Sequence, residues 1–152
     1  MRMIFAGALG LALTGCGPSF EDKIVGTWEC IPADQPEKVS VVLTMIYGKD
    51  GSVKGGMAVN DTSGPQALEL RGKLDGTWTY DGTTLGHTMT ESFESLAVDG
   101  KTLPDAEVPP EVKANFRSQD SYDDPVDLVE DQLVWYEGEE RKTVAARCSK
   151  KV

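Results

Sequence analysis

Histidine, the side chain best suited to proton transfer near neutral pH, occurs once in this chain, at position 87. His87 and Glu91 share one face of a predicted strand, but four strand residues span about 13 Å, too far for both to bind one metal ion. The sequence contains no serine pattern that pairs with this histidine in a catalytic triad, and no Gly-rich phosphate loop. We therefore predict that the protein is not an enzyme and uses no cofactor or metal, and that His87 is a polar residue at the surface or mouth of the domain.

Acidic residues are the other group that could do chemistry. Asp120, Asp123, Asp124 and Asp127 crowd one stretch, but they lack the spacing and turn glycine of an EF-hand calcium loop, so a solvated loop is the preferred interpretation. The whole chain has 25 acidic against 15 basic residues, a balance that repels nucleic acid. The charge indicates a solvated surface, and the alternative is an acidic patch for a basic protein partner.

The first residues have the pattern of an export signal. Met1-Arg2-Met3 is a short positive segment, followed by residues 4–13, which are apolar or small. At about ten residues this stretch is half the length that a membrane-spanning helix needs, as expected for a secretory signal peptide.

The cysteine that ends this signal has a specific context. Leu13-Thr14-Gly15-Cys16 resembles the lipobox of bacterial lipoproteins, in which small residues precede an obligatory cysteine. The resemblance implies that residues 1–15 are removed and that Cys16 carries the lipid. An ordinary signal peptide with a chance cysteine is the alternative.

The lipobox resemblance also implies a domain organisation and a location. Residues 16–23 become a tether of about 15 Å relaxed reach, and residues 24–152 become a domain held at the cell envelope through its lipid anchor. Because Gly17 and not Asp follows Cys16, the resemblance favours the outer membrane of a cell that has one.

Lipidation of Cys16 leaves Cys30 and Cys148 as the remaining cysteines. In an exported protein, an even remainder predicts a disulfide. The bond would join the first predicted strand to the last. By the loop-entropy model, closing so long a loop stabilises the folded protein by about 4–5 kcal/mol.

Turn signals divide the domain into short segments with strand periodicity. The predicted strands are residues 24–30, 38–47, 53–60, 67–75, 76–80, 84–93, 126–130, 133–137 and 142–148. Gly55-Gly56 predicts a bulge or sharp bend. The Pro-rich acidic stretch 99–124 predicts a long loop with a short helix over 110–117, which is either a lid or binding loop or a mobile insertion.

These elements predict an all-β fold. An up-and-down antiparallel chain whose first and last strands share a disulfide closes most simply into a barrel of about eight strands, which leaves no exposed edge. A β-sandwich is the alternative.

One motif on the first strand adds a family resemblance. Gly26-Thr27-Trp28 resembles the Gly-x-Trp signature of lipocalin-like, or calycin-like, barrels. The resemblance implies that Trp28 plugs one barrel end, that Gly26 stands where a neighbouring chain or the Trp ring crosses, and that Arg147 or Arg141 stacks over Trp28. If Cys148 points inward, however, Arg147 points outward.

The expected function is that of a binding module for a small apolar or amphipathic ligand inside the barrel. The inward faces and the lid at residues 104–119 supply the candidate lining residues, which are Leu43, Met45, Tyr47, His87, Met89, Phe93 and Phe116. The alternatives are an envelope lipoprotein that binds or inhibits another protein, as lysozyme inhibitors do, and a structural accessory lipoprotein without a pocket. A side-chain-filled barrel would favour these alternatives.

Overall fold

The computed structural model describes residues 17–116 and 119–152, so Cys16 and the predicted signal peptide lie outside the described residues. A short helix, α1 (Phe20–Ile24), leads into the sheet. The strands are β1 (Gly26–Pro32), β2 (Val39–Tyr47), β3 (Ser52–Asp61), β4 (Leu68–Tyr80), β5 (Thr84–Val98), β6 (Lys101–Thr102), β7 (Gln119–Val129), β8 (Gln132–Glu137) and β9 (Thr143–Lys151). A 3₁₀ turn (Asp105–Glu107) and helix α2 (Pro110–Ala114) separate β6 from β7.

Eight of these strands close into an antiparallel barrel. Each pairs with its neighbour in the chain, β5 pairs with β7, and β9 returns to pair with β1. The two-residue β6 only extends one end of β5. The predicted all-β barrel is therefore confirmed, and the sandwich is excluded. Among the described residues, no helix is long and apolar enough to cross a membrane.

The disulfide lies where the barrel closes. Cys30 on β1 and Cys148 on β9 are direct partners in the strand register, and their sulfur atoms are bonded. Both side chains are buried in the core. Closure thus rests on backbone hydrogen bonds and on one covalent bond between the first and last strands.

Three sequence predictions about strands need correction. Residues 68–80 form one continuous strand, not two. Gly55-Gly56 causes no shift of register; instead a Cβ on Gly55 would lie 1.9 Å from the Thr44 carbonyl oxygen, so the glycine allows close strand approach. The part of the predicted acidic loop that begins at Gln119 is strand β7.

Helix α1 corrects the predicted tether and the predicted start of the first strand. Ser19 accepts a hydrogen bond from the backbone N–H of Asp22, and the Asp22 carboxylate accepts one from the backbone of Ser19. This reciprocal capping box starts a helix within residues expected to be extended. Ile24, predicted to open the strand, is the last helical residue and is fully buried.

Trp28 and α1 together close one end of the barrel, which we call the α1 end. Trp28 is fully buried, and its indole Nε1 donates to the carbonyl of Ile24 at 2.6 Å. Lys150 Nζ donates to the carbonyl of Lys23 at 2.5 Å. The side chains of the barrel thereby satisfy carbonyls that the helix C-terminus leaves free. Phe20 stacks on Tyr80, with ring centroids 3.7 Å apart.

The basic residue over Trp28 is Lys150, whose Nζ lies 5.4 Å from the ring centroid. The expectation for Arg147 is wrong: it alternates with the buried Ala146 and Cys148, so it faces outward and is exposed. Arg141 instead pairs with Asp127. Gly26 has a φ of +127°, and a Cβ there would lie 3.2 Å from Lys150 Cε. The side chain that passes beside Gly26 is therefore that of Lys150.

Candidate ligand site inside the barrel

The opposite end of the barrel is covered by a segment that does not belong to the wall. This segment, residues 103–116, contains the 3₁₀ turn and α2, and we call it the lid. Only two lid side chains, Val108 and Phe116, are buried. The ion pair between Lys113 and Asp105, at 2.7 Å, joins two parts of the lid to each other. The lid is thus held on the barrel by two buried apolar side chains and, at its start, by a hydrogen bond from the Leu103 backbone N–H to the Leu96 carbonyl.

Phe116 enters the barrel from the lid and rests on Gly72 of β4. A Cβ at position 72 would lie 2.5 Å from the Phe116 ring, so the ring fits here only because residue 72 is a glycine. We call this position the seat of Phe116. Phe93 meets the same ring edge to face, with centroids 6.0 Å apart. A register shift in the β4–β5 pairing falls between Arg71 and Gly72, at this seat.

Deeper in the barrel lies a group of packed rings that we call the ring cluster: Tyr47, Trp78, His87, Tyr122 and Trp135. The His87 ring stacks on Tyr122 at 4.9 Å and lies 5.5 Å from Trp135. Tyr47 contacts both Trp78 and His87, each at 5.8 Å. The five rings come from five different strands, β2, β4, β5, β7 and β8. They meet because alternate residues of each strand face inward.

His87 is therefore not at the surface or mouth, which corrects the sequence interpretation. It is 3% exposed, and its Nε2 lies 2.9 Å from the Tyr47 hydroxyl. Burial lowers the pKa of His87 to about 4, so its ring is neutral at pH 7. The neutral form explains how an imidazole is accepted in an aromatic core.

Two polar atoms of the ring cluster have no hydrogen-bond partner among the described residues: His87 Nδ1 and Trp135 Nε1. By contrast, His87 Nε2 is paired with the Tyr47 hydroxyl, and Trp78 Nε1 donates to the Gly48 carbonyl at 3.0 Å. Buried side-chain polar atoms in native proteins are usually hydrogen-bonded. The unpaired atoms therefore mark His87 and Trp135 as candidates for ligand contact.

The approach to the ring cluster along β5 and β7 is acidic. Burial, and then the charges of Asp124, Glu91 and Asp120, raise the pKa of Tyr122 to about 12. Burial and the charge of Asp123 raise the pKa of Asp124. Among the described residues, no group of three or more His, Cys, Asp or Glu side chains could hold a metal ion.

The predicted lining residues fall into two groups. Met45, Tyr47, His87 and Met89 belong to the packed core of the barrel, each at most 3% exposed. Leu43 and Phe93 are half-buried at the lid end. Sequence reasoning did not identify Trp135 or Tyr122, whose inward positions depend on the register of β7 and β8.

Several concavities among the described residues open on the outside of the barrel. One of about 400 Å³ lies between the β4–β5 and β8–β9 turns. Its lining includes Tyr80, Asp81, Asp123, Pro125 and Glu139. This groove is polar and acidic, unlike the interior.

Comparison of the chain with protein-family models, with curated proteins and with solved structures gave no match. The barrel, its lid and the ring cluster are therefore the features that bear on function.

Proposed function

We propose that this chain is a lipid-anchored binding module of the cell envelope that holds a small apolar or amphipathic ligand in the lid half of its barrel. The observation that carries the proposal is the seat of Phe116. A segment outside the wall brings one aromatic side chain into the interior, onto a glycine that leaves room for it. An apolar guest can take the same place when the lid lifts.

The free energy that holds the lid closed is small enough for such an exchange. Full burial of an apolar side chain is worth about 1.5–3 kcal/mol, and only Val108 and Phe116 are buried in the lid. A guest that buries a similar apolar area against Phe93 and Leu43 offsets the loss of these contacts. Phe116 then acts as an internal competitor of the ligand.

The packing of the barrel limits the size of the ligand. The α1 half is filled by large side chains, among them Trp28, Met45 and Leu133, each at most 1% exposed. A ligand that enters from the lid end meets a single buried core that contains both Trp28 and rings of the ring cluster. This favours one short chain or one ring system over a large lipid.

Two resemblances support the anchor and the family. The lipobox at Leu13-Thr14-Gly15-Cys16 favours lipidation of Cys16 and an envelope location. A buried Trp28 after Gly26, with a basic side chain over its ring, agrees with a lipocalin-like barrel.

The proposal is tested with full-length protein in lipid nanodiscs and the neutral fluorescent probe N-phenyl-1-naphthylamine, with empty nanodiscs as background. Phe116→Ala removes the internal competitor, so we expect the probe to bind at least threefold more tightly than to the native protein. Gly72→Ala should have the same effect because its new Cβ displaces the ring.

Val129→Ala is the matched control, since Val129 is 64% exposed on the outside of β7, and its affinity for the probe should stay native. Probe fluorescence equal to that of empty nanodiscs in the native protein and in both seat variants would overturn the proposal.

A second candidate function is recognition of a basic protein, which the outer groove favours. Asp123 and Glu139 both line this groove, and the chain is acidic overall. An inhibitor of lysozyme is the nearest example in kind. If the protein inhibits lysozyme, the full-length protein should reduce lysozyme activity. The double variant Asp123→Lys with Glu139→Lys should no longer reduce it.

A further inference from the structure

The hydrogen-bond pattern of the ring cluster favours one position for the proton of neutral His87. Tyr47 is 1% exposed, and among the described residues its hydroxyl is paired with His87 Nε2. With the hydrogen on Nε2, two groups would be buried without a partner, the hydroxyl hydrogen of Tyr47 and the Nδ1 lone pair, whereas with the hydrogen on Nδ1 only the Nδ1–H is left. Tyr47 therefore donates, Nε2 accepts, and the ring hydrogen of neutral His87 lies on Nδ1.

It follows that both unpaired atoms are donors. An indole Nε1 is always a donor, so Trp135 Nε1–H and His87 Nδ1–H are two buried N–H groups without an acceptor among the described residues. The rings that carry them lie 5.5 Å apart. Both N–H groups therefore belong to neighbouring rings of one buried cluster.

We propose that the ring cluster recognises the uncharged carbonyl oxygen of an amide, ester or ketone, held by Trp135 Nε1–H and His87 Nδ1–H. A carbonyl oxygen has two lone pairs and brings no hydrogen of its own, so it matches two donors. This inference rests on the proposed function, because it names the head group of the ligand whose apolar part lies toward Phe93 and the lid.

The surrounding charge selects against a carboxylate in the same position. Asp120, Asp124 and Glu91 act on Tyr122 at the approach to the ring cluster, and His87 is neutral. No buried lysine or arginine is present among the described residues to compensate an anionic head group. A free fatty acid should therefore be a poor ligand compared with its amide.

The order of inward residues on β5 gives the orientation of the guest. Phe93 contacts the lid residue Phe116, then Glu91 and Met89 follow toward His87. An amphipathic molecule can thus lie with its carbonyl at His87 and its apolar tail along β5 toward the lid.

The first test is an NMR measurement that needs no ligand. The chain contains one histidine, so long-range ¹H–¹⁵N spectra of the full-length protein in nanodiscs report its tautomer directly. We expect the hydrogen on Nδ1. A hydrogen on Nε2 would overturn the proposal, because Nδ1 would then be an acceptor.

The second test compares three probes of equal chain length: hexanamide, hexanoate and hexylamine. Hexanamide should shift the indole N–H signal of Trp135 and the ring signal of His87, and it should bind at least tenfold more tightly than hexanoate. Hexylamine, which has no carbonyl, should leave the indole signal in place. Equal or tighter binding of hexanoate would contradict the proposal.

Two variants separate this inference from the proposed function. Trp135→Phe removes one unpaired N–H and should weaken hexanamide at least tenfold. Trp78→Phe is the matched control, because its N–H already donates to the Gly48 carbonyl; hexanamide affinity should change less than twofold.

Binding of N-phenyl-1-naphthylamine, which has no carbonyl, should survive in Trp135→Phe. If this probe binds but hexanamide leaves the Trp135 and His87 signals unmoved, the two donors hold a buried water only. The inference then fails while the proposed function stands.

Discussion

Trp28 shows how single residues join the helix, the first strand and the last strand. Its ring is fully buried under Lys150, and its indole N–H donates a hydrogen bond to the carbonyl of Ile24, the last residue of α1. A side chain with these contacts stabilises the closed end of the barrel and lies away from the lid. Its role is therefore structural.

Truncation of this ring should unfold the protein easily and leave ligand binding intact. Trp28→Ala removes a large buried side chain and should lower the free energy of unfolding by about 3–5 kcal/mol, as measured by denaturant titration. Ile31→Ala, on the same strand but 49% exposed, should change it by at most about 0.5 kcal/mol. If Trp28→Ala kept native stability but lost probe binding, the ligand would bind at the α1 end of the barrel and not at the lid end.

His87 predicts a pH dependence of stability. Its pKa is about 4 in the folded protein and 6.5 ordinarily. Between these values the unfolded chain binds more protons, so stability falls as pH falls from 6.5 to 4, by about 3 kcal/mol in total. Asp124, whose pKa is raised by burial, contributes with the opposite sign.

The comparison that isolates the histidine is the difference between native protein and His87→Gln in urea melts at pH 7 and pH 4. We expect the stability of His87→Gln to fall less, because it removes the only histidine. Equal pH slopes for the two proteins would show that His87 is not buried as a neutral ring.

Among the elements, strands with alternating apolar residues could be predicted from the sequence, as could the last residues of β7, but the part of β7 before Val126 could not. The inward positions of β7 include Tyr122 and Asp124, so its pattern is that of an acidic loop. α1 was missed because its signal is the Ser19–Asp22 capping box and not an apolar period. The helix within the long loop was predicted, although it ends at Ala114.

The ring cluster required the three-dimensional register. The sequence correctly puts His87 and Met89 on one strand face, but Tyr47 is 40 positions away and Trp135 lies on β8. Their meeting depends on barrel closure, and single-sequence patterns give no distance across a barrel. Phe116 was identified as a lining residue because it lies in the short helix that was predicted within the lid.

The bond between β1 and β9 gives a further prediction. Alkylation of the denatured, unreduced protein should find neither Cys30 nor Cys148 free. Replacing both by Ala should cost about 4–5 kcal/mol of unfolding free energy by the loop-entropy model. The barrel should still close, because the backbone pairing of β1 with β9 remains. Two alkylated thiols in the native protein would contradict the bond.

The whole molecule joins a proposed membrane anchor to a barrel that is closed at the α1 end and covered by the lid at the other end. Phe20, the first residue of α1, is already packed on the barrel, so little chain separates the proposed anchor at Cys16 from the domain. The α1 end is then the end nearest the membrane, and the lid-end ligand site opens on the side of the barrel away from the anchor.

The anchor is tested by Cys16→Ser in cells. Loss of the acyl acceptor should move the protein from the membrane fraction to the soluble fraction and remove the mass of the acyl chains. Cys16→Ser protein that stays in the membrane fraction at its usual mass would disprove the lipid anchor. Ile31→Ala should fractionate like native protein.

The central claim is that the barrel holds a small molecule, and native mass spectrometry of full-length protein extracted from its membrane tests it most directly. The account predicts a mass above that of the lipidated polypeptide, with the excess lost on denaturation and reduced in Trp135→Phe. A mass equal to the lipidated polypeptide alone, in native protein and in Phe116→Ala incubated with hexanamide, would contradict it.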